Sequence, residues 1–444
     1  MSKQKTYRTE LTPLSFLKRS AYIFPDKKAV VHGGRSVTYR ELEDRVNRLA
    51  SYLLGEGIKK RDRVAILSPN TPAMLEAHYA VPAAGGILVT VNTRLKSSEI
   101  EYILGHSGAS FLFVDEELYP QGSGLDLSGM KVVRMHDTGK RSDPYEKILE
   151  RSRPEPFDET VADEEETISI NYTSGTTGRP KGVEYTHRGA YLNSLGEIIE
   201  TGMTNDTVYL WTLPMFHCNG WCFTWAVTAV SGTHVCMRKV DADRIWELLE
   251  SENVTHFCGA PTVATMAVNS EKARKLDNAV TVCIAAAPPS PTLFKNLNDL
   301  NFRPLHLYGL TETYGPITIC PWKPEWDGLP IEEKAALQSR QGQGYTTADM
   351  VRVVDRDNND VPRDGETIGE AVMRGNNVMK GYYRQPKSTN EAFRGGWFHS
   401  GDVAKVDEDG YYYIVDRTKD MIIRGGFNVY PRDLEEVLVT PPDI

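Results

Sequence analysis

Short apolar runs alternate with amphipathic stretches along this chain. Thr38 opens a predicted helix: Glu41 completes a capping box, Leu42, Val46, Leu49 and Leu53 share one face, and Gly55 and Gly57 close it. Arg63 to Ser68 reads as a buried strand, a helix follows from about Thr71, and Ile87 to Val91, Phe111 to Val114 and Lys131 to Val133 read as further strands. Strands alternating with helices predict parallel sheet with helices on its faces. Residues 136–166 are polar, with Pro154 and Pro156, and are predicted as a connector whose acidic run, Asp163 to Glu166, is a solvated turn. Ile168, Ile170 and Tyr172 then alternate with Ser169 and Asn171, the period of a strand. Further on, Ala242, Ile245, Leu248 and Leu249 mark an amphipathic helix. Thr255 to Cys258, Val280 to Ala285, Leu305 to Tyr308 and Tyr411 to Val415 are predicted strands. Glycines and tyrosines between residues 369 and 382, among short alternating runs, predict a β-rich subdomain.

The strand ending at Tyr172 runs into Tyr-Thr-Ser-Gly-Thr-Thr-Gly-Arg-Pro-Lys-Gly, residues 172–182. Glycines let backbone N–H groups approach an anion closely. Thr173, Ser174, Thr176 and Thr177 add hydroxyl donors, and Lys181 adds a mobile positive charge. A loop of this make-up suits a triphosphate, yet it lacks the Gly-Lys-Ser/Thr ending of the Walker pattern. Composition alone favours a flexible surface loop.

Bulk properties narrow the choice. The chain has 444 residues and a net charge of −9, which fits two or three units and argues against a nucleic-acid partner. No apolar run reaches the ~18 residues of a membrane span, and the first residues lack the apolar core of a secretion signal. The six cysteines form no Cys-x-x-Cys pair and sit mostly in apolar stretches, so reduced thiols and a cytoplasmic location are expected.

The order of residues 172–182 closely resembles the phosphate loop of the adenylate-forming superfamily: acyl-CoA synthetases, adenylation domains and luciferases. Further matches extend the resemblance from near Thr38 almost to the last residue. It implies a large α/β domain over residues 1–416, built of two parallel-sheet subdomains and a distorted β-barrel. Residues 417–444 would be a hinge and the start of a small α+β domain.

Site residues follow from the same resemblance. Thr173, Ser174, Gly175, Thr176, Thr177, Gly178 and Lys181 would hold the β and γ phosphates. In Tyr308-Gly309-Leu310-Thr311-Glu312, Tyr308 would stack on adenine, Thr311 bond the α-phosphate and Glu312 hold Mg2+. Asp402 would bind the ribose, Arg417 contact the nucleotide, and Lys419 stand at the hinge. Ala286, Ala287 and Pro288 lie in the loop that would meet the nucleotide and acyl group; the family usually has glycines early in it, and alanine there narrows the pocket or tightens packing. His217, in Pro-Met-Phe-His, would gate the acyl site, with Trp221, Cys222, Gly309 and Tyr314 beside it. Adenylation domains for amino acids place an aspartate near this segment. Its neighbours here are His217, Cys218 and Asn219, so an α-ammonium would lie unpaired at a high cost.

The implied reaction makes acyl-AMP from ATP and a carboxylic acid, then a thioester with CoA. The expected acid is short- to medium-chain or a small aromatic, not an amino acid. Expected partners are the acid, ATP and CoA, with Mg2+ as cofactor, no nucleic acid, no membrane span, and a homodimer as the candidate assembly. Alternatives are transfer to a carrier-protein thiol and a nucleotide- or acyl-binding module without catalysis. Only 25 residues follow Lys419, so the small domain is expected to be mostly missing along with its distal lysine. That predicts a form that binds ATP and acyl-AMP but adenylates slowly.

Overall fold

The computed structural model describes residues 8–119, 125–157, 161–173, 179–287 and 289–417, and the backbone of two short strands, Ile422–Arg424 and Phe427–Val429. Two large sheets dominate. The first has seven strands in the order Gly381–Tyr382, Gly182–Thr186, Thr167–Tyr172, Ile87–Thr90, Arg63–Leu67, Ala109–Asp115, Lys131–Met135. Its last five strands are mutually parallel. The second has nine strands, and Lys28–His32, Thr233–Cys236, Val208–Trp211, His256–Gly259, Val280–Ile284 and Phe302–Leu310 run parallel through its centre. A four-stranded antiparallel sheet of Arg352–Val354, Gly369–Met373, Phe398–Val406 and Tyr412–Arg417 forms the β-rich part.

The helices form where their caps and faces dictate. Thr38 caps Tyr39–Gly55 in a reciprocal box with Glu41, and Leu42, Val46, Leu49 and Leu53 are buried beneath it. Thr71 caps Pro72–Ala83, with Pro72 in the first turn. Both faces of the parallel strands are covered, so Ser169 and Asn171 are as buried as Ile168 and Ile170.

Three expectations are corrected. The polar stretch 136–166 contains a helix, Pro144–Arg151, capped by Asp143, whose side chain accepts from the Tyr145 N–H. Its two buried residues, Tyr145 and Leu149, are four apart, too few for the apolar period to stand out. Within the acidic run, Glu164 is buried: Leu11 N–H donates to it at 2.8 Å and Arg188 pairs with it at 2.8 Å. Gly381–Tyr382 leaves the β-rich part altogether and pairs antiparallel with Gly182–Thr186.

Helix His187–Thr201 turns Glu197 into the core, where it is fully buried and accepts from the Tyr345 hydroxyl at 3.1 Å. Burial, reinforced by nearby Cys283, pushes this carboxyl well above the usual range, so the folded protein keeps it protonated. Unfolding releases that proton once the pH exceeds the ordinary Glu value of about 4.3, so this group's contribution to stability is lost as pH rises above it. Glu197→Gln should therefore melt higher than the unsubstituted protein at pH 8, with the gap closing toward pH 4.5. Equal melting temperatures at both pH values would disprove it.

Candidate active site

A cleft of about 970 Å3 opens where the two large sheets meet. The strands Thr167–Tyr172 and Phe302–Leu310 each aim their carboxyl ends at it, the usual ligand position in α/β sheets. Two motifs far apart in the chain thereby reach one space. Thr173 and Lys181 line it from one side, and Gly309, Thr311 and Glu312 from the other.

The phosphate-loop segment is closed at its neck. Thr173 N–H donates to Lys181 O at 3.0 Å, and Lys181 N–H donates to the Thr173 hydroxyl at 3.2 Å. Ser174, Gly175, Thr176, Thr177 and Gly178 lie outside the described residues, as do Pro288 and Lys419. The Lys181 ammonium sits 4.5 Å from the Tyr382 ring centroid.

Opposite, Leu310 N–H donates to the Thr313 hydroxyl at 2.8 Å, and that hydroxyl donates to Gly315 O at 2.7 Å. Gly309 is confined here, because a Cβ on it would stand 1.9 Å from Gly315 O. Glu312 accepts from the Tyr382 hydroxyl at 2.7 Å. Burial raises its carboxyl above the ordinary value, against the opposing pull of Tyr382, Lys181 and Arg417. Asp402 and Arg417 also line the cleft, with Arg417 Nε 3.4 Å from Asp402 Oδ1. Tyr308 does not line it. Its hydroxyl donates to Asp402 Oδ2, which does line the cleft, and its ring meets the edge of Tyr412 at 5.9 Å.

The wall expected to take the acid is built on a left-handed turn. Cys218, Asn219, Gly220, Trp221 and Cys222 have φ of 50°, 47°, 59°, 53° and 64°. For L-residues this costs on the order of 1 kcal/mol each, and it persists only where neighbours enforce it. Asn219 does so: its Oδ1 accepts from Ser169 Oγ and Asn171 Nδ2, both at 2.5 Å, while its N–H donates to Asn171 Oδ1 at 3.0 Å. The turn presents Phe216, His217, Cys218 and Trp221 to the cleft. Trp221 presses on Gly315, where a Cβ would lie 2.7 Å from the indole. The Cys218 thiol donates to Thr311 Oγ1 at 3.5 Å. Burial alone would push this thiol up, but adjacent His217 outweighs that and brings it below the ordinary value.

Cys222 and Tyr314 are corrected as wall residues, because neither lines the cleft. The thiol of Cys222 faces Tyr314 O in the core. A positive φ of 63° turns Tyr314 away from the cleft. There it stacks on Tyr185 at 3.9 Å and accepts from Thr186 N–H at 2.6 Å. In the alanine loop, Ala285 and Ala286 stand on the cleft wall, whereas Ala287 is exposed and off it. Tyr382 and Gly315 were not picked out from the sequence: Gly381-Tyr382 carried only a β pattern, and Gly315 no signal at all.

Among the described residues no cluster of three His, Cys, Asp or Glu could hold a metal by itself. One cleft carboxylate, Glu312, still fits Mg2+, which takes one or two protein oxygens and leaves the rest to phosphates and water. All six cysteines are free and buried, and no described helix is long and apolar enough to cross a membrane.

Comparison with known proteins agrees with this geometry. A family model described as AMP-binding enzyme matches residues 17–383. Acetate/butyrate–CoA ligase AAE7, peroxisomal, of Arabidopsis thaliana is 43% identical over 98% of this chain and 81% of its own length. The 4-hydroxybutyrate–CoA ligase 2 of Metallosphaera sedula is 43% identical with the same coverage. Among solved structures, ATP-bound MatB from Rhodopseudomonas palustris superposes with a TM-score of 0.83 at 27% identity, covering 96% of this chain and 84% of that one. The o-succinylbenzoate CoA synthetase of Bacillus subtilis with its acyl-adenylate gives 0.83 at 25% identity, covering 98% and 84%. Fold, cleft and comparisons converge: this chain belongs to the AMP-binding enzyme family, within the adenylate-forming superfamily.

Proposed function

We propose that this chain joins a short carboxylic acid without an ammonium group to CoA at the expense of ATP. It is an acid–thiol ligase. The acid's carboxylate oxygen attacks the α-phosphorus of ATP, the bond to pyrophosphate breaks, and acyl-AMP remains. The CoA thiol then attacks the acyl carbon, loses its proton, and AMP leaves. Such chemistry asks the protein for position and charge neutralisation rather than covalent participation.

The carrying observation is that the Thr173–Lys181 neck and the Thr311–Glu312 turn face each other across one cleft. In this reading Lys181 and the loop hold the β and γ phosphates, and Thr311 donates to the α-phosphate. Asp402 accepts from the ribose hydroxyls beside Arg417. Glu312 holds Mg2+, which when bound neutralises phosphate charge. Arg417 ends the strand Tyr412–Arg417, and among the described residues the next two strands pair with each other. That supports the division into 1–416 and 417–444 with Lys419 as the hinge.

The acid's class is supported by the acyl end of the cleft. Phe216, Trp221, Ala285 and Pro316 line it with Cys218 and His217, and none of these is a carboxylate that would pair an α-ammonium. Relatives named for acetate, butyrate and 4-hydroxybutyrate point the same way. Pyrophosphate release should be at least about 100-fold faster with butyrate than with alanine, because a buried unpaired ammonium costs several kcal/mol. Parity between the two acids would refute the proposed class, and silence with every acid would refute adenylation. Parallel assays with CoA and a carrier-protein thiol identify the acceptor. Cytoplasm is supported by the free thiols, peroxisome by the relatives' names, and fractionation of the native protein decides.

A further inference from the structure

We infer that Tyr382 is a positioning residue that aims the Glu312 carboxylate through its hydroxyl and holds Lys181 against its ring, tying the two walls of the cleft together. This rests on the adenylation reading above. The backbone around Tyr382 is bonded to both walls. Met379 N–H donates to Glu312 O at 2.7 Å, and Tyr383 N–H donates to Gly182 O at 2.7 Å. Between them Gly381 pairs with Glu184 and Tyr382 with Val183, just past the phosphate-loop segment. Tyr382 N–H is fixed in turn by the Thr389 hydroxyl at 2.9 Å.

With its backbone so held, the side chain has one direction. Its hydroxyl donates to Glu312 Oε1 at 2.7 Å, leaving the second carboxylate oxygen to a cation. The ring face receives the Lys181 ammonium at 4.5 Å, within cation–π range. A phenylalanine would fill the same volume, which separates the hydroxyl's role from packing.

Calorimetric titration with ATP, once with Mg2+ and once with EDTA, tests this on the whole chain. Tyr382→Phe should bind Mg2+-free ATP as the unsubstituted protein does. It should lose roughly 10-fold of the affinity that Mg2+ adds, the size of one hydrogen bond to a charged group. Tyr382→Leu, which also strips the ring from Lys181, should weaken binding under both conditions. In pyrophosphate release, Tyr382→Phe should raise the Mg2+ requirement more than it lowers the saturated rate. An unchanged Mg2+ gain in Tyr382→Phe overturns the inference. So does an equal loss with and without Mg2+, or a collapsed melting transition, since either would make the hydroxyl a folding contact. If the unsubstituted protein ignores ATP, the adenylation reading falls too; if it binds while Tyr382→Phe behaves normally, only the role of Tyr382 falls.

Discussion

Glu312→Gln should lower pyrophosphate release about 100- to 1000-fold at saturating ATP, the usual cost of removing one pre-placed electrostatic group. Glutamine preserves shape and can still meet the Tyr382 hydroxyl, so the turn Thr311–Thr313 should keep its geometry. What disappears is the negative charge among Lys181, Arg417 and the phosphates. Burial raises the Glu312 carboxyl in the metal-free protein, so Mg2+ taking this oxygen must displace a bound proton, and the Mg2+ needed for half-maximal rate should rise as pH falls. The variant, with no proton to displace at this position, should lack that pH dependence. Steady-state pyrophosphate assays from pH 5 to 8, with melting curves to verify folding, make the measurement. A variant within threefold of the unsubstituted rate would remove Glu312 from the mechanism.

Trp221 should decide how long an acid the cleft accepts. The left-handed turn pins its indole against Gly315 on the cleft wall. Trp221→Ala would open the volume of the indole at a stability cost of about 3–5 kcal/mol, so Trp221→Leu is the milder companion. Each methylene accommodated in an apolar pocket is worth about 10- to 200-fold in kcat/KM. Both variants should therefore move the preferred acid toward hexanoate and octanoate by at least 10-fold relative to butyrate. A chain-length profile unchanged in a variant that still melts cooperatively would show that another residue forms the floor.

Much of the fold was legible because its signals are local. The Thr38–Glu41 box, the Thr71 cap ahead of Pro72 and the apolar parallel strands all act within a few residues. The helix Pro144–Arg151 escaped because its buried face is only Tyr145 and Leu149, though Asp143-Pro144 was a usable start signal. The glycine- and hydroxyl-rich loop and Thr311-Glu312 were recognised from their order, since close approach to phosphate admits few residue types.

Other features depend on neighbours distant in the chain. Ser169 and Asn171 looked like the polar side of a strand, yet they are the bolts that hold Asn219 in a left-handed turn. Tyr314 follows the Thr311-Glu312 motif directly, but its backbone φ sends the ring into the core against Tyr185. Tyr308 and Asp402 were assigned separate jobs, and the fold joins them by a hydrogen bond across 94 positions.

The sequence by itself determined the family, the alternation of strands and helices, and the residue types able to meet a triphosphate, because these follow from short-range periodicity and side-chain chemistry. Only the tertiary structure decided which of those residues share a cleft and which turn away. It alone carried Tyr382 out of the β-rich part to Glu312 and Lys181. Strand pairing and backbone handedness set those directions, and both are fixed by contacts between segments far apart in the chain.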